Sequence, residues 1–427
     1  MPQDNGDDPV LAQYEAYPYP ARDPRQESER LITGSPSHLA EVNHYLFAGR
    51  RDFAQPFRAL VAGGGTGDAA VMLAQQLSDE AGSGAGRSMG PGEVVYLDIS
   101  TAARAIAEAR AAARGLANLR FVTGSLGDLP GLGLGFFDYI DCCGVVHHLA
   151  EPATGLRALA AALAEGGGLG LMVYGALGRT GVYPLQEALR DLGEGLPLAE
   201  RVDLARRLLE DLPATNWFRR NPFLGDHKRS DAELVDLLLH ARDRAYRVSE
   251  LVALLAAADL APVAFPEALR YDPASYLGDP KLLKRLDGLD WLERAGLAEA
   301  LAGNIKTHVV YAAPRVSAEG RVARPDRPEA VPVLSDDDGP AMAEAVGRSL
   351  SLTANFDGVK LRLALPRLAP AMLARIDGRA SLGEIHRELQ ALDSGLDWPA
   401  FEAQFDRLFR ALNGLGRLLI RYPTALK

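Results

Sequence analysis

The chain has only two cysteines in 427 residues, Cys142 and Cys143, and they are adjacent. That excludes a disulfide framework. The two lie in a predicted buried strand, where neighbours point to opposite faces, so they neither bridge each other nor share a metal. No apolar run reaches the length of a membrane span, roughly 20 residues. The first residues, Met1-Pro-Gln-Asp-Asn-Gly-Asp-Asp, lack the apolar core of a signal peptide. No long basic run occurs, and the net charge of −10 opposes broad, nonspecific binding to nucleic acid. No G-x-x-x-x-G-K-[ST] phosphate loop is present either. These absences lead us to expect a cytoplasmic protein with no membrane association.

What is present points to an α/β protein. The length exceeds one typical domain, and 48% apolar residues suffice for ordinary cores. Arg58-Ala-Leu-Val-Ala-Gly-Gly-Gly-Thr-Gly67-Asp-Ala reads as a strand, a glycine hairpin and the start of a helix running to about Leu77. Val94-Val-Tyr-Leu-Asp98 follows as a second strand that ends in a carboxylate. Glycine lets backbone pass close to a ligand because no Cβ intrudes. The helix start offers its free amides, and the acid at the next strand end can accept hydrogen bonds from a ribose diol. Gly63, Gly65 and Gly67 fit G-x-G-x-G, and Asp68 sits where a dinucleotide fingerprint wants glycine. A nicotinamide oxidoreductase therefore fails on spacing.

Residues 1–57 comprise a polar, Pro-rich arm over 1–30, with Tyr14, Tyr17 and Tyr19, followed by a predicted helix over 31–57. The arm reads as a loosely docked tail or as a lid. Strands are predicted at 58–62, 93–98, 119–123, 137–144 and 169–174. A Gly- and Ser-rich loop is expected over 78–92, and a helix at 152–164 should stop at Gly166-Gly-Gly. Strands alternating with helices at this spacing predict a doubly wound, mostly parallel Rossmann-like sheet. Residues 178–257 turn helical, with Ser249 expected to cap one helix. Strands resume near 261–265 and 306–313. Residues 315–337 read as a linker, and 338–427 as a small, mainly helical domain.

The G-x-G-x-G hairpin and the acidic strand end resemble motif I and its successor in class I S-adenosylmethionine-dependent methyltransferases. Gly144-Val-Val-His147-His148-Leu-Ala-Glu-Pro152 resembles the G-V-L-H-H-L-x-D-P turn after strand four of many such enzymes. The resemblance implies a seven-stranded sheet over 58–314, closed by a final strand pair with one member antiparallel, and a helical insertion above the ligand edge. It implies S-adenosyl-L-methionine as cofactor, with Gly63, Gly65 and Gly67 under the methionine part, Asp98 on the ribose and Ile99 on the adenine. Ser125 and Leu126 would face the adenine edge, and Gly144 would border the cofactor. Two positions depart from the pattern. Val61 replaces an acid that usually meets the methionine ammonium, leaving that role to carbonyls or to Asp68 or Asp141. Ser125 replaces the acid of the D-A-x-x-L-P form. Ile376-Asp-Gly-Arg-Ala-Ser-Leu-Gly-Glu-Ile resembles a helix-turn-helix of small winged-helix-like domains.

Methyl transfer from a sulfonium needs proximity and orientation above all, and a base only when the nucleophile starts protonated. His147, His148 and Tyr174 are the candidate catalytic side chains. Each histidine either packs the turn or faces the acceptor. Tyr14, Tyr17, Tyr19, Tyr183, Asp226 and His227 are candidates for acceptor binding. Adjacent His147 and His148 with no second ligand pair argue against a metal. The expected acceptor is a protein or peptide, or else a small molecule. A nucleic-acid acceptor is disfavoured by charge. A non-catalytic partner protein that keeps the pocket is the competing reading, and a homodimer is compatible with the sequence.

Overall fold

The computed structural model describes residues 9–82 and 92–423. Seven strands form one sheet: β1 (Phe57–Ala62), β2 (Gly92–Asp98), β3 (Leu119–Thr123), β4 (Phe137–Cys143), β5 (Leu163–Tyr174), β6 (Leu260–Ala264) and β7 (Thr307–Pro314). Their order is β3-β2-β1-β4-β5-β7-β6. β1 pairs in parallel with β2 and β4, β2 with β3 and β4 with β5, while β6 runs antiparallel to β7. This is the doubly wound, mostly parallel seven-stranded sheet expected. Strand order reverses between β1 and β4, the point where open α/β sheets leave a crevice for ligands.

Helix α1 (Pro9–Ala16) lies in the N-terminal arm, and α2 is limited to Leu39–Leu46, so the helix expected over 31–57 is mostly irregular. Ser35-Pro36 explains much of this, since the residue before proline avoids the helical region. Helix α3 (Asp68–Gly82) outruns its predicted end at Leu77. Of the Gly- and Ser-rich loop expected over 78–92, residues 83–91 lie outside the described residues. Helix α4 (Thr101–Ala113) is capped by Ser100 and stops before Gly115, as read from sequence. Helix α5 (Pro152–Ala161) ends before the triple glycine, which lies instead inside β5. There the strand pairing shifts register, and a Cβ on Gly167 would stand 2.9 Å from the carbonyl of Phe137. The glycines thus mark a bulge, not a helix stop.

The insertion holds α6 (Val182–Leu192), α7 (Leu198–Asp211), α8 (Trp217–Arg220), α9 (Asp231–Leu238) and α10 (Val248–Ala256). Val182, Leu185, Leu189, Val202, Phe218 and Leu234 form its core. Ser249 lies in the first turn of α10, whose start is fixed instead by Glu250 accepting the amide of Arg247.

The chain divides into two compact units. One comprises the residues up to Ser37, Phe53–Asp259 and Gly303–His308, and the other His38–Asp52, Leu260–Ala302 and the residues from Val309 on. The expected boundaries at 57, 314 and 337 do not coincide with these. The expected linker also carries a strand: β8 (Val331–Leu334) pairs antiparallel with β11 (Leu418–Arg421). Pro332 hid it, because proline usually argues against a strand and is tolerated only at edges. Between them lie a hairpin of β9 (Ser351–Phe356) and β10 (Val359–Ala364) and the paired helical segments Leu382–Leu392 and Trp398–Asn413. Ile385, Leu389, Phe401, Phe405, Leu408 and Leu412 pack there in one core. Among the described residues, no helix is long and apolar enough to cross a membrane.

Candidate functional site

A cavity of about 960 Å³ opens at the carboxyl ends of β1, β2 and β4. That is at the upper end of the range for ligand pockets, roughly 300–1,000 Å³. Gly63, Gly65, Asp98, Ile99, Ser125, Leu126 and Gly144 all line it, as does Val61. Gly65 has φ +49°, and a Cβ there would come within 2.7 Å of the carbonyl oxygen of Tyr19. Gly67 does not line the wall. A Cβ on it would strike Ala107 at 2.8 Å, so this glycine lets α3 start close against α4.

Asp98 is buried, and its two oxygens accept the amides of Gly65 (2.7 Å) and Ser100 (2.8 Å). Burial pushes its carboxyl above the usual range, against these bonds. Each oxygen keeps a second lone pair for a ligand hydroxyl. Ser125 caps a short 3-10 turn: its hydroxyl accepts the amide of Gly127, and Asp128 accepts the amide of Ser125.

The N-terminal arm covers the glycine hairpin. Thr66 donates its hydroxyl to the carbonyl of Pro20 at 2.7 Å. Arg22 forks onto Asp68, with a shortest contact of 2.6 Å. Arg110, fully buried, reaches Glu27 and Asp68 at 2.6 Å each. Burial raises the Asp68 carboxyl, but Arg22 and Arg110 outweigh it and hold it below the usual range. Asp68, one of the two acids proposed for the cofactor's ammonium, is therefore already paired with two guanidinium groups.

Asp141 differs. It is the Cα partner of Val61 across the β1–β4 pair. Its side chain is fully buried, and one oxygen accepts from Ser37 at 2.7 Å; the Tyr139 hydroxyl lies 3.5 Å from that oxygen and donates to the carbonyl of Pro36 at 2.7 Å. The other oxygen has no partner, and Asp141 lines the cavity. Burial pushes its carboxyl up to about 6.

The far side of the cavity is a network. The Nδ1 of His148 lies 2.8 Å from the carbonyl of Arg242. A carbonyl only accepts, so Nδ1 carries the proton. The ring stacks on His240 with centroids 3.7 Å apart. His240 accepts the amide of Arg242 at Nδ1, so its Nε2 donates to Tyr14 at 3.0 Å. Tyr14 donates in turn to Asp236 at 3.4 Å, and Tyr174 donates to the other oxygen of Asp236 at 2.7 Å. Burial raises the Asp236 carboxyl and pushes the His240 imidazole down to about 2, so that ring is neutral. The guanidinium of Arg179 lies 3.6 Å over the Tyr174 ring and pairs with Asp243 at 3.1 Å.

Tyr14, Tyr19, Tyr174, His148 and Asp226 thus reach the cavity wall. Four other candidates do not. His147 is buried behind it, 4.0 Å from the Tyr174 ring, with both nitrogens unpartnered and its pKa lowered by burial. Tyr17 packs on the core of the insertion, Tyr183 lies 5.9 Å from the Arg179 guanidinium, and His227 packs on Phe218. Sequence reasoning missed Arg22, Arg179, Asp236 and His240. Each sits in an ordinary helical or loop context, and only the fold brings them together.

The residues fit S-adenosylmethionine. Gly65 lines the cavity at a positive φ with no room for a Cβ beside Tyr19, Asp98 offers acceptors for a diol, and Asp141 offers an ammonium a buried oxygen that has no donor. Comparison with known proteins agrees. The family described as "Methyltransferase domain" matches residues 60–169. The chain is 32% identical over 309 residues to a Synechococcus sp. protein named "Uncharacterized protein syc1184_c", covering 71% of this chain and 70% of that one. The structure of PKMT2 from Rickettsia typhi in complex with AdoHcy superposes with a TM-score of 0.62, covering 91% of this chain and 76% of that one at 14% identity, which is a likeness of fold. The chain belongs to the class I S-adenosylmethionine-dependent methyltransferases.

Proposed function

We propose that the methyl acceptor is an amine carried on a protein or peptide, and that it docks against Tyr14, Tyr174 and Asp236. One observation carries this reading: the buried carboxylate Asp236 lines the cavity between tyrosine hydroxyls, while the nearby guanidinium of Arg179 is paired with Asp243 instead. Asp236 has only hydroxyl donors as partners. A wall with an unpaired carboxylate and tyrosine rings suits a cation, through charge and through the ring faces.

When bound, the cofactor supplies a methyl group already activated by its sulfonium. An amine arrives protonated and must lose a proton before its lone pair is free. Asp236, in its carboxylate form between the Tyr14 and Tyr174 hydroxyls, takes that proton. His148 faces the cavity and shapes the acceptor side. Gly63, Gly65, Asp98 and Ile99 cradle the cofactor, and the arm over residues 9–37 acts as its lid. The winged-helix-like reading of 338–427 makes that region a docking module for the protein that carries the acceptor.

Labelled cofactor with poly-L-lysine, its fully acetylated form and free lysine tests the reading. Acid- and base-stable label on poly-L-lysine alone supports a peptide amine. Label lost as volatile methanol at alkaline pH marks a carboxyl acceptor and sinks it. Asp236→Asn should lower kcat about a hundredfold, the low end for general acid–base catalysis. Calorimetry should show affinity for S-adenosylhomocysteine unchanged within about twofold, since Asp236 would act on the acceptor only.

A further inference from the structure

We infer that Asp141 is the carboxylate that receives the α-ammonium of the cofactor's methionine, so that β4 supplies the acid that β1 lacks at Val61. The inference rests on the family assignment above and adds the residue that anchors the cofactor's charged end.

The argument starts from the sheet. Asp98 ends β2 and Asp141 lies near the end of β4, and β1 runs between them. Adjacent strands are about 4.8 Å apart, so the two acids bracket the glycine hairpin at roughly 10 Å. S-adenosylmethionine has a matching layout, with a ribose diol on one side of the sulfur and an ammonium on the other. Asp98, joined to the hairpin through the amide of Gly65, takes the diol. The ammonium then falls on the β4 side, where Asp141 stands.

The state of Asp141 fits that role. A fully buried carboxylate oxygen without a donor is costly and calls for a partner. Among the described residues Asp141 makes no ion pair; its donor is the neutral hydroxyl of Ser37, while the Tyr139 hydroxyl, 3.5 Å away, donates to the carbonyl of Pro36 at 2.7 Å. Ser37 holds Oδ2, which fixes the carboxylate and leaves Oδ1 without a donor. Other acids on the wall are less suited. Asp68 is neutralised by Arg22 and Arg110, Asp226 by Arg229, and Asp236 belongs to the tyrosine network. The register adds a further point: Val61 and Asp141 are direct neighbours across the strand pair, so an acid at either position serves the same corner of the cavity.

Calorimetric titration of the full chain with S-adenosylhomocysteine and with its desamino analogue, which lacks only the ammonium, tests this. The wild type should prefer S-adenosylhomocysteine at least tenfold. Equal binding of the two ligands overturns the inference whatever any variant does. Asp141→Asn keeps the side-chain shape. It should weaken S-adenosylhomocysteine more than tenfold while changing the desamino analogue less than threefold. Equal loss for both ligands, or no loss for either, overturns the assignment. Should that variant not fold, the exchange Val61→Asp with Asp141→Val moves the acid back to β1. It should restore the preference for the ammonium, and a folded double variant without that preference counts against the inference. No binding of S-adenosylhomocysteine to the folded wild type would instead break the cofactor reading itself, a distinct outcome.

Discussion

The two ends of the cavity are built in opposite ways. At the cofactor end the main groups are sequence neighbours: a strand, a glycine hairpin, a helix start and the acid closing the next strand lie within Phe57–Asp98, and only the ends of the following strands, with Asp141, are added to them. At the acceptor end they come from far apart, with Tyr14 and His240 separated by 226 positions and Tyr174 and Asp236 by 62. The chemistry differs too. The cofactor end presents carboxylates with unused acceptor capacity, ready for a polar ligand of fixed shape. The acceptor end is a closed chain of hydrogen bonds that an incoming amine must join. A cofactor is the same for every member of a family, so a short local motif can serve it. An acceptor differs, and its site is assembled from whatever the insertion and the arm bring.

The hardest test of this contrast is Gly65→Val. Valine would sit at φ +49°, where a β-branched side chain is strained, with its Cβ 2.7 Å from the carbonyl of Tyr19. Strain of this kind costs about 1–3 kcal/mol, and the displaced arm adds to it. Affinity for S-adenosylhomocysteine should drop by about two orders of magnitude or more in a protein that still folds by circular dichroism. Normal binding would mean that the hairpin is not the cofactor end.

A milder perturbation is pH. Burial raises the Asp141 carboxyl from 3.8 to about 6, against the hydroxyls of Ser37 and Tyr139. Its other titratable neighbours, Cys142 and Cys143, are pushed upward by burial and stay protonated here. An ammonium needs the ionised carboxylate, so affinity should be full above pH 6 and fall as pH drops through it. From pH 7 to 5 the loss is about tenfold, and Asp141→Asn should flatten the profile. For the unliganded fold the sign reverses. A raised carboxyl pKa contributes stability below the unfolded value, which is lost as pH rises through about 6. A flat wild-type profile would detach Asp141 from the ligand.

Legibility follows the same division. The sheet could be read because its strands are short apolar runs between glycine turns, and Gly65 and Asp98 because their chemistry is local. Asp141 could be suspected only from what Val61 lacks. The triple glycine at 166–168 was misread because glycine marks a helix stop and a strand bulge alike, and only the pairing with Phe137 distinguishes them. Asp236 and His240 gave no signal: an acid and a histidine near the end of a helix usually face water. Their burial is a consequence of tertiary packing, which no window of local sequence contains.

The smallest expected effect separates three tyrosines that look alike in sequence. Tyr14, Tyr17 and Tyr19 fall within one turn-rich segment, yet Tyr14 and Tyr19 line the cavity while Tyr17 packs on the core of the insertion. Tyr14→Phe removes the hydroxyl that links Asp236 to His240 and should lower kcat about tenfold, the equivalent of one net hydrogen bond. Tyr17→Phe keeps the ring and its packing, and kcat and KM should stay within about twofold because no group on the wall is altered. If Tyr17→Phe slows turnover as much as Tyr14→Phe does, the arm acts as one mobile body. The acceptor end would then depend on how that whole segment closes more than on the hydroxyl at Tyr14.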